Sequence, residues 1–223
     1  MHKNKLKIFV DSANLKEIQS IDFINIDGVT TNPSLAAKIA TQKENRFEEY
    51  KKILVEVTDY IDGSVSAEVI ATNFDDMMRE ALELRELASN ITIKLPITRD
   101  GLKACKVLSF DHNIDVNMTL CFSPNQAMLA ALNGAKYISP FIGRLDDIGI
   151  DGLTLIEDIK IIYENYQFST QILAASVRNV SHIAEVMKIG VDIITMPPSL
   201  IEQLYKHVLT DKGLEIFLKD WNK

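Results

Sequence analysis

Eight short β-rich runs recur along this chain, and helical patterns separate nearly all of them. The runs fall at about 7–13, 26–31, 65–70, 91–96, 114–120, 137–142, 171–177 and 192–196. Eight strand–helix alternations with no long linker fit a closed (β/α)8 barrel, the TIM barrel, better than an open doubly wound sheet. The 223 residues suit one such α/β barrel, which often occupies about 200–250 residues. No Pro/Gly/Ser linker or shift in composition marks a second unit, so residues 1–223 are expected to form a single (β/α)8 barrel domain.

Helix starts punctuate the repeat. Asn14-Leu-Lys-Glu17 reads as a capping box. Ser123-Pro124-Asn125-Gln126 combines a cap serine, a first-turn proline and a glutamine at N3. Ser199-Leu-Ile-Glu202 reads as the same device after the eighth run. Leu82, Leu84, Leu87 and Ala88 fall on one helix face after Asn73. Two helical segments, about 34–40 and 46–60, occupy the gap between runs two and three. Leu214, Phe217, Leu218 and Trp221 give the tail, 212–223, the spacing of an extra amphipathic C-terminal helix. Such a helix is expected to cover the barrel or a neighbouring subunit.

Composition removes several classes of function. The apolar fraction of 47% supports a packed interior. The net charge is −7 and no basic block extends beyond Lys3 to Lys7, which argues against nucleic acid and against an anionic membrane surface. No apolar run approaches the roughly 18 residues of a membrane span, and no signal-peptide pattern opens the chain. Cys105 and Cys121 sit in apolar-patterned segments and read as reduced and structural, so a cytoplasmic location is expected. His2, His112, His182 and His207 show no metal-ligand spacing, so no metal site is expected.

One residue breaks the apolar pattern sharply. Ile91-Thr92-Ile93-Lys94-Leu95-Pro96 sets a lysine inside a β run. Desolvation disfavours an ammonium, so an amine held there is expected to titrate low and to be free near neutral pH. A free amine on a rigid strand is what Schiff-base chemistry with a carbonyl needs.

Active sites of (β/α)8 barrels lie at the C-terminal ends of the strands. Polar residues collect at those ends here. They are Asp11; Thr30 and Asn32; Glu68; Lys94; Asn117 and Thr119; Ser139 with Arg144; and Ser176 with Arg178. A polar ring drawn from seven strands is hard to explain by packing alone.

These residues carry a family resemblance. Phe9-Val-Asp11-Ser-Ala-Asn14, Gly28-Val-Thr-Thr-Asn-Pro-Ser-Leu35, Ser66-Ala-Glu68-Val69 and Lys94-Leu-Pro-Ile-Thr98 with Gly101-Leu-Lys-Ala104 resemble successive motifs of transaldolases. Asn117-Met-Thr-Leu120, Ser139-Pro-Phe-Ile-Gly-Arg-Leu-Asp-Asp147 and Ala174-Ala-Ser-Val-Arg-Asn179 continue the series in order. The length resembles the short subfamily, which also contains the fructose-6-phosphate aldolases. The resemblance implies a barrel enzyme of class I mechanism, with Lys94 as the Schiff-base lysine, no metal and no organic cofactor. It implies phosphorylated sugar substrates and a homo-oligomer.

The implied reaction moves a dihydroxyacetone unit from sedoheptulose 7-phosphate to glyceraldehyde 3-phosphate, in the non-oxidative pentose phosphate pathway. Asp11 would take the C4 hydroxyl proton. Glu68 would act through a water held with Thr119. Thr30, Asn32, Asn117, Ser139 and Phe141 would line the substrate, and Arg144, Ser176 and Arg178 would hold the phosphate. The aldolase branch tends to carry glutamine in place of Glu68 and tyrosine in place of Phe141, and here both follow the transaldolase pattern.

Plainer readings stand beside these. Asn32, ahead of Pro33, fits an N-cap, and Asp11 fits a cap of the following helix. Arg144 stands near Asp146 and Asp147, so a structural ion pair is open. Thr98, Ser123 and Thr195 read as turn or cap residues. Tyr137, Phe168 and Trp221 read as core or interface, and Lys103 and Lys106 as a solvated helix face. The alternative functions are a fructose-6-phosphate aldolase, a sugar-phosphate-binding barrel without turnover, and a metal-dependent aldolase, which the scattered histidines do not support.

Overall fold

A computed structural model of the chain describes residues 5–39 and 45–223. Eight parallel strands close into a barrel in sequence order, β1 pairing with both β2 and β8. They are β1 (Lys7–Asp11), β2 (Gly28–Thr30), β3 (Ser64–Glu68), β4 (Ile91–Pro96), β5 (Val116–Cys121), β6 (Tyr137–Pro140), β7 (Gln171–Ala174) and β8 (Ile193–Met196). All eight expected runs are strands, and most are shorter than expected. The difference lies mainly at the C-terminal ends, where the chain leaves the ladder. Phe141 keeps only an isolated bridge to Ala175, and Ile142 already opens a helix.

Alternation along the strands divides the core in two. Val10, Val29, Val65, Ile93, Met118, Ile138, Ile172 and Ile194 point outward into one large cluster beneath the helices. The opposite parity points into the barrel. Phe9, Tyr137, Leu173 and Ile193 fill its lower part, with Phe9 edge-on to Tyr137 at 6.1 Å. Gly28 has no room for a side chain, because a Cβ there would lie 2.6 Å from the Phe9 ring. Above this apolar plug the inward positions turn polar: Thr30, Ser66, Lys94, Asn117, Ser139 and Thr195 are all buried. Parallel register sets Lys94 between Glu68 and Asn117.

The helices are α1 (Leu15–Gln19), α2 (Pro33–Ile39), α3 (Arg46–Tyr60), α4 (Phe74–Arg85), α5 (Arg99–Phe110), α6 (Pro124–Leu132), α7 (Ile142–Asp146), α8 (Gly152–Tyr166), α9 (Val180–Ile189), α10 (Pro198–Ile201) and α11 (Val208–Trp221). Residue 40 of the expected first segment lies outside the described residues. Ser123 caps α6 by accepting from the Gln126 N–H, as expected.

Other local readings need correction. Glu17 accepts from the Ser12 hydroxyl at 2.6 Å, so the box at Asn14 is only half made. Ser199 lies inside α10, because Pro198 supplies a first-turn residue one position earlier. The buried face of α4 is Met77, Ala81 and Leu84; Leu82 is exposed, and Leu87 and Ala88 follow the helix end. The tail helix α11 starts earlier than expected and does not cover its own barrel. None of its residues is buried, and Trp221 is 88% exposed.

Candidate active site

Lys94 is 5% exposed, and its Nζ has two acceptors. The Glu68 carboxylate lies at 3.0 Å and the Thr31 backbone carbonyl at 3.0 Å. The purely apolar setting that the local sequence suggests is therefore corrected by residues from β2 and β3.

Asp11 faces the barrel axis from the end of β1. Thr30 donates to its Oδ1 at 2.7 Å, which leaves Thr195 to donate to Thr30 across 2.6 Å. Thr195 is thus neither a turn nor a cap residue. It is buried on β8 in the wall of the cavity. Thr98 does cap a helix, accepting from the Gly101 N–H. Asn32 caps as well: its Oδ1 accepts from the Leu35 N–H at 2.9 Å while the residue lines the cavity. Asp11 makes no cap; Asn14 caps α1.

A second polar chain runs under Lys94. Ser139 donates to Asn117 Oδ1 at 2.7 Å, and Asn117 Nδ2 donates to Ser66 at 3.1 Å. Asn117 is fully buried and does not reach the cavity wall, whereas Ser139 does. Thr119 Oγ1 is buried without a partner among the described residues. It stands at an irregularity in β5, where the pairing register shifts between Met118 and Cys121. Leu120 takes a left-handed conformation there, with φ 59°. Thr119 and Leu120 therefore line the same cavity, which an unbroken strand does not allow for successive residues.

The cationic side is built by the segments after β6 and β7. Arg144 on α7 lies over the Phe141 ring at 5.3 Å, and Phe141 packs edge-on to Phe122 at 5.8 Å. Asp147 pairs with Arg178 rather than with Arg144: both guanidinium nitrogens reach its carboxylate, one at 2.6 Å. Hydrogen bonds from Arg178, helped by the charge of Arg144, hold the Asp147 carboxyl below the usual carboxylate range. Arg178 crosses directly over Gly143, where a Cβ would lie 2.6 Å from its Nε. Ser176 is left-handed, with φ 56°, and its carbonyl accepts from the Gly143 N–H at 2.9 Å.

Two adjoining cavities occupy the barrel mouth. One of about 240 Å³ is lined by Asp11, Thr30, Ser139, Ser176, Arg178 and Thr195, among others. The other, about 390 Å³, takes in Glu68, Thr119 and Leu120. Asn32, Lys94, Phe141 and Arg144 line both. Every candidate site residue except Asn117 thus meets one opening, with a nucleophile, carboxylates, hydroxyls and cations in reach of one small polar molecule.

Cys105 and Cys121 are buried free thiols pushed up to about 12 by burial. Tyr137 is core, Phe168 packs on Tyr163 at 5.4 Å, and Trp221 is exposed. Lys103 is exposed over the Phe74 ring. Among the described residues, no three His, Cys, Asp or Glu side chains group as metal ligands, and no helix is long and apolar enough to cross a membrane.

Fold and site together define a (β/α)8-barrel protein with a buried, carboxylate-paired lysine at the C-terminal mouth. The sequence model of the transaldolase/fructose-6-phosphate aldolase family matches residues 8–223, and the chain belongs to that family. Relatives named "probable transaldolase" include those of Brucella anthropi, 53% identical, and Bartonella tribocorum, 54% identical; each match covers 98% of this chain and 97% of the relative. The fold is also similar to thiamine phosphate pyrophosphorylase from Pyrococcus furiosus, with a TM-score of 0.61 at 17% identity over 91% of this chain and 95% of that one.

Proposed function

We propose that the protein is a class I transaldolase that transfers dihydroxyacetone from sedoheptulose 7-phosphate to glyceraldehyde 3-phosphate through an imine on Lys94. The observation that carries this reading is the Lys94 amine, buried at the cavity wall with the Glu68 carboxylate 3.0 Å away. Glu68, acting through a water held with Thr119, takes up the ammonium proton and leaves a free amine. The amine attacks the C2 carbonyl of the ketose phosphate and forms a carbinolamine. Loss of water, with Glu68 returning the proton, gives the iminium. Thr119, a buried hydroxyl with an open hydrogen-bonding position, holds the departing oxygen.

The iminium draws in the electrons of the C3–C4 bond. Asp11 takes the C4 hydroxyl proton, the bond breaks, and erythrose 4-phosphate leaves. Thr30 steadies Asp11 through its 2.7 Å hydrogen bond. The enamine left on Lys94 attacks the aldehyde carbon of glyceraldehyde 3-phosphate. Asp11 returns its proton to the new hydroxyl, and hydrolysis releases fructose 6-phosphate. Asn32 and Ser139 bind the hydroxyls of the three-carbon unit. Asn117, engaged with Ser66 and Ser139, orients Ser139 from below. Arg144, Ser176 and Arg178 hold the phosphate, the arginines offering planar donor forks.

The aldolase alternative needs the enamine to be protonated before an acceptor arrives. Phe141 lines both cavities and has no hydroxyl to position a water, which favours transfer. The exposed apolar side chains of α11 support a homo-oligomer, and the unpaired cysteines a cytoplasmic setting. A coupled assay with fructose 6-phosphate, with and without erythrose 4-phosphate, tests the reading. Turnover that requires the acceptor supports transaldolase. Turnover without it makes the protein an aldolase, and tight binding with no turnover makes it a sugar-phosphate-binding barrel.

A further inference from the structure

The two acceptors around the Lys94 amine come from different strands. The Thr31 carbonyl follows β2, and the Glu68 carboxylate ends β3. Behind both stands the phenol of Tyr50, on α3. The Glu68 N–H donates to Tyr50 Oη at 2.9 Å, and Tyr50 Oη lies 2.7 Å from Thr31 Oγ1. Thr31 Oγ1 has one hydrogen, and it goes to the Ser66 carbonyl at 2.8 Å. Tyr50 must therefore be the donor to Thr31. The hydrogens run in one direction, from the Glu68 amide through Tyr50 and Thr31 to Ser66, and such chains strengthen their own links.

We propose that Tyr50 is a positioning residue for the Lys94 amine: its hydroxyl ties the ends of β2 and β3 together, so that Thr31 and Glu68 both stay in reach of Nζ. The inference deepens the proposed Schiff-base function and rests on it. Tyr50 is 1% exposed and Thr31 is fully buried, so the link is shielded from bulk solvent. Burial pushes the phenol above its ordinary range, which keeps it a neutral donor. Packing asks only for the ring, since α3 also buries Leu54 and Val57 on that face. The hydroxyl is what links the Thr31 side chain to the Glu68 amide.

Tyr50→Phe separates ring from hydroxyl. The variant loses both bonds of the hydroxyl and leaves the Glu68 N–H without its acceptor. In a folded variant, kcat and the single-turnover rate of borohydride-trappable imine formation with fructose 6-phosphate should fall about ten- to thirtyfold, the scale of one buried donor left unsatisfied. KM should move by less than about twofold, because the Tyr50 hydroxyl bonds only to Thr31 and Glu68 and to none of the proposed phosphate contacts. Thr31→Val removes both bonds of Thr31 Oγ1, to Tyr50 and to Ser66, while leaving Glu68 N–H its acceptor, and should give the same split more weakly. An unchanged imine rate with a lowered melting temperature makes Tyr50 a packing residue and overturns the proposal. So does an equal loss in kcat and KM. Should Tyr50→Phe fail to fold, Thr31→Val decides: an unchanged imine rate there also overturns it. The wild type is the control. A wild type that traps no imine sinks the functional reading along with this one, whereas normal trapping in wild type and variants alike rejects Tyr50 alone.

Discussion

Arg178→Ala separates phosphate recognition from architecture. Arg178 lines the smaller cavity and pairs its guanidinium with Asp147. Those side chains are 47% and 50% exposed. An exposed ion pair contributes little to stability, typically about 0–1 kcal/mol, so the variant should melt within a few degrees of the wild type. Its contact with a substrate phosphate is a different case. A charge-assisted hydrogen bond is worth about 1.5–3 kcal/mol, or roughly ten- to a hundredfold in affinity. Part of that is offset in the wild type, because the phosphate must displace or share with Asp147. The expected result is therefore a rise of about tenfold in KM for fructose 6-phosphate, near the lower end of the range. Steady-state kinetics with fructose 6-phosphate and with unphosphorylated fructose make the comparison, and KM for fructose should hardly move. Inorganic phosphate should compete in the wild type and less so in the variant. An equal loss for both donors would assign Arg178 to the structure of the α7 segment and refute its phosphate role.

Other outcomes follow from the same geometry. Asp147→Asn removes the competitor for Arg178, so inorganic phosphate should inhibit more tightly; weaker inhibition would mean that Asp147 holds Arg178 in its binding position. Phe141→Tyr should raise acceptor-free cleavage of fructose 6-phosphate at the expense of transfer, and a wild type that cleaves as fast as it transfers would contradict the assignment. The imine supplies the electron sink, so activity should survive prolonged EDTA; loss restored by zinc or manganese would overturn the imine mechanism. Burial pushes Cys105 and Cys121 up to about 12, so neither should label rapidly at pH 8, and both should label on denaturation. The sign of the linkage is set by the unfolded thiols, which ionise first; stability should fall as pH rises above about 9, and a thiol contribution lost on acidification would contradict it.

The parts of the fold that announce themselves in sequence are those fixed by local pattern. Buried parallel strands read as Val/Ile runs, and Ser123-Pro124 marks a helix start on its own. Strand ends were less legible, since extended chain continues past the ladder, as at Phe141. The short helix α7 was hidden because Ile142 continues an apolar run. The site was legible as a ring of polar residues, because the barrel brings all C-terminal strand ends together. Contacts between strands were not. Asp147 stands three residues from Arg144 and yet pairs with Arg178, 31 positions along. Local sequence gives Thr195 the look of a turn or cap residue, though closure of β8 on β1 brings it to Thr30 and so to Asp11. Tyr50 carried no signal beyond an aromatic on a helix face. Asn117 shows the same limit: its place on β5 puts it in the polar ring, but its bonds to Ser66 on β3 and Ser139 on β6 come only with the closed barrel.

The central claim is that the Lys94 amine forms the covalent bond to substrate. Borohydride reduction in the presence of fructose 6-phosphate, followed by peptide mass spectrometry, tests it directly. The account predicts irreversible inactivation with a reduced three-carbon adduct on Lys94, and none in Lys94→Arg, which keeps the charge but loses the nucleophile. An adduct on Lys103, or no adduct in a protein that turns over, would contradict it.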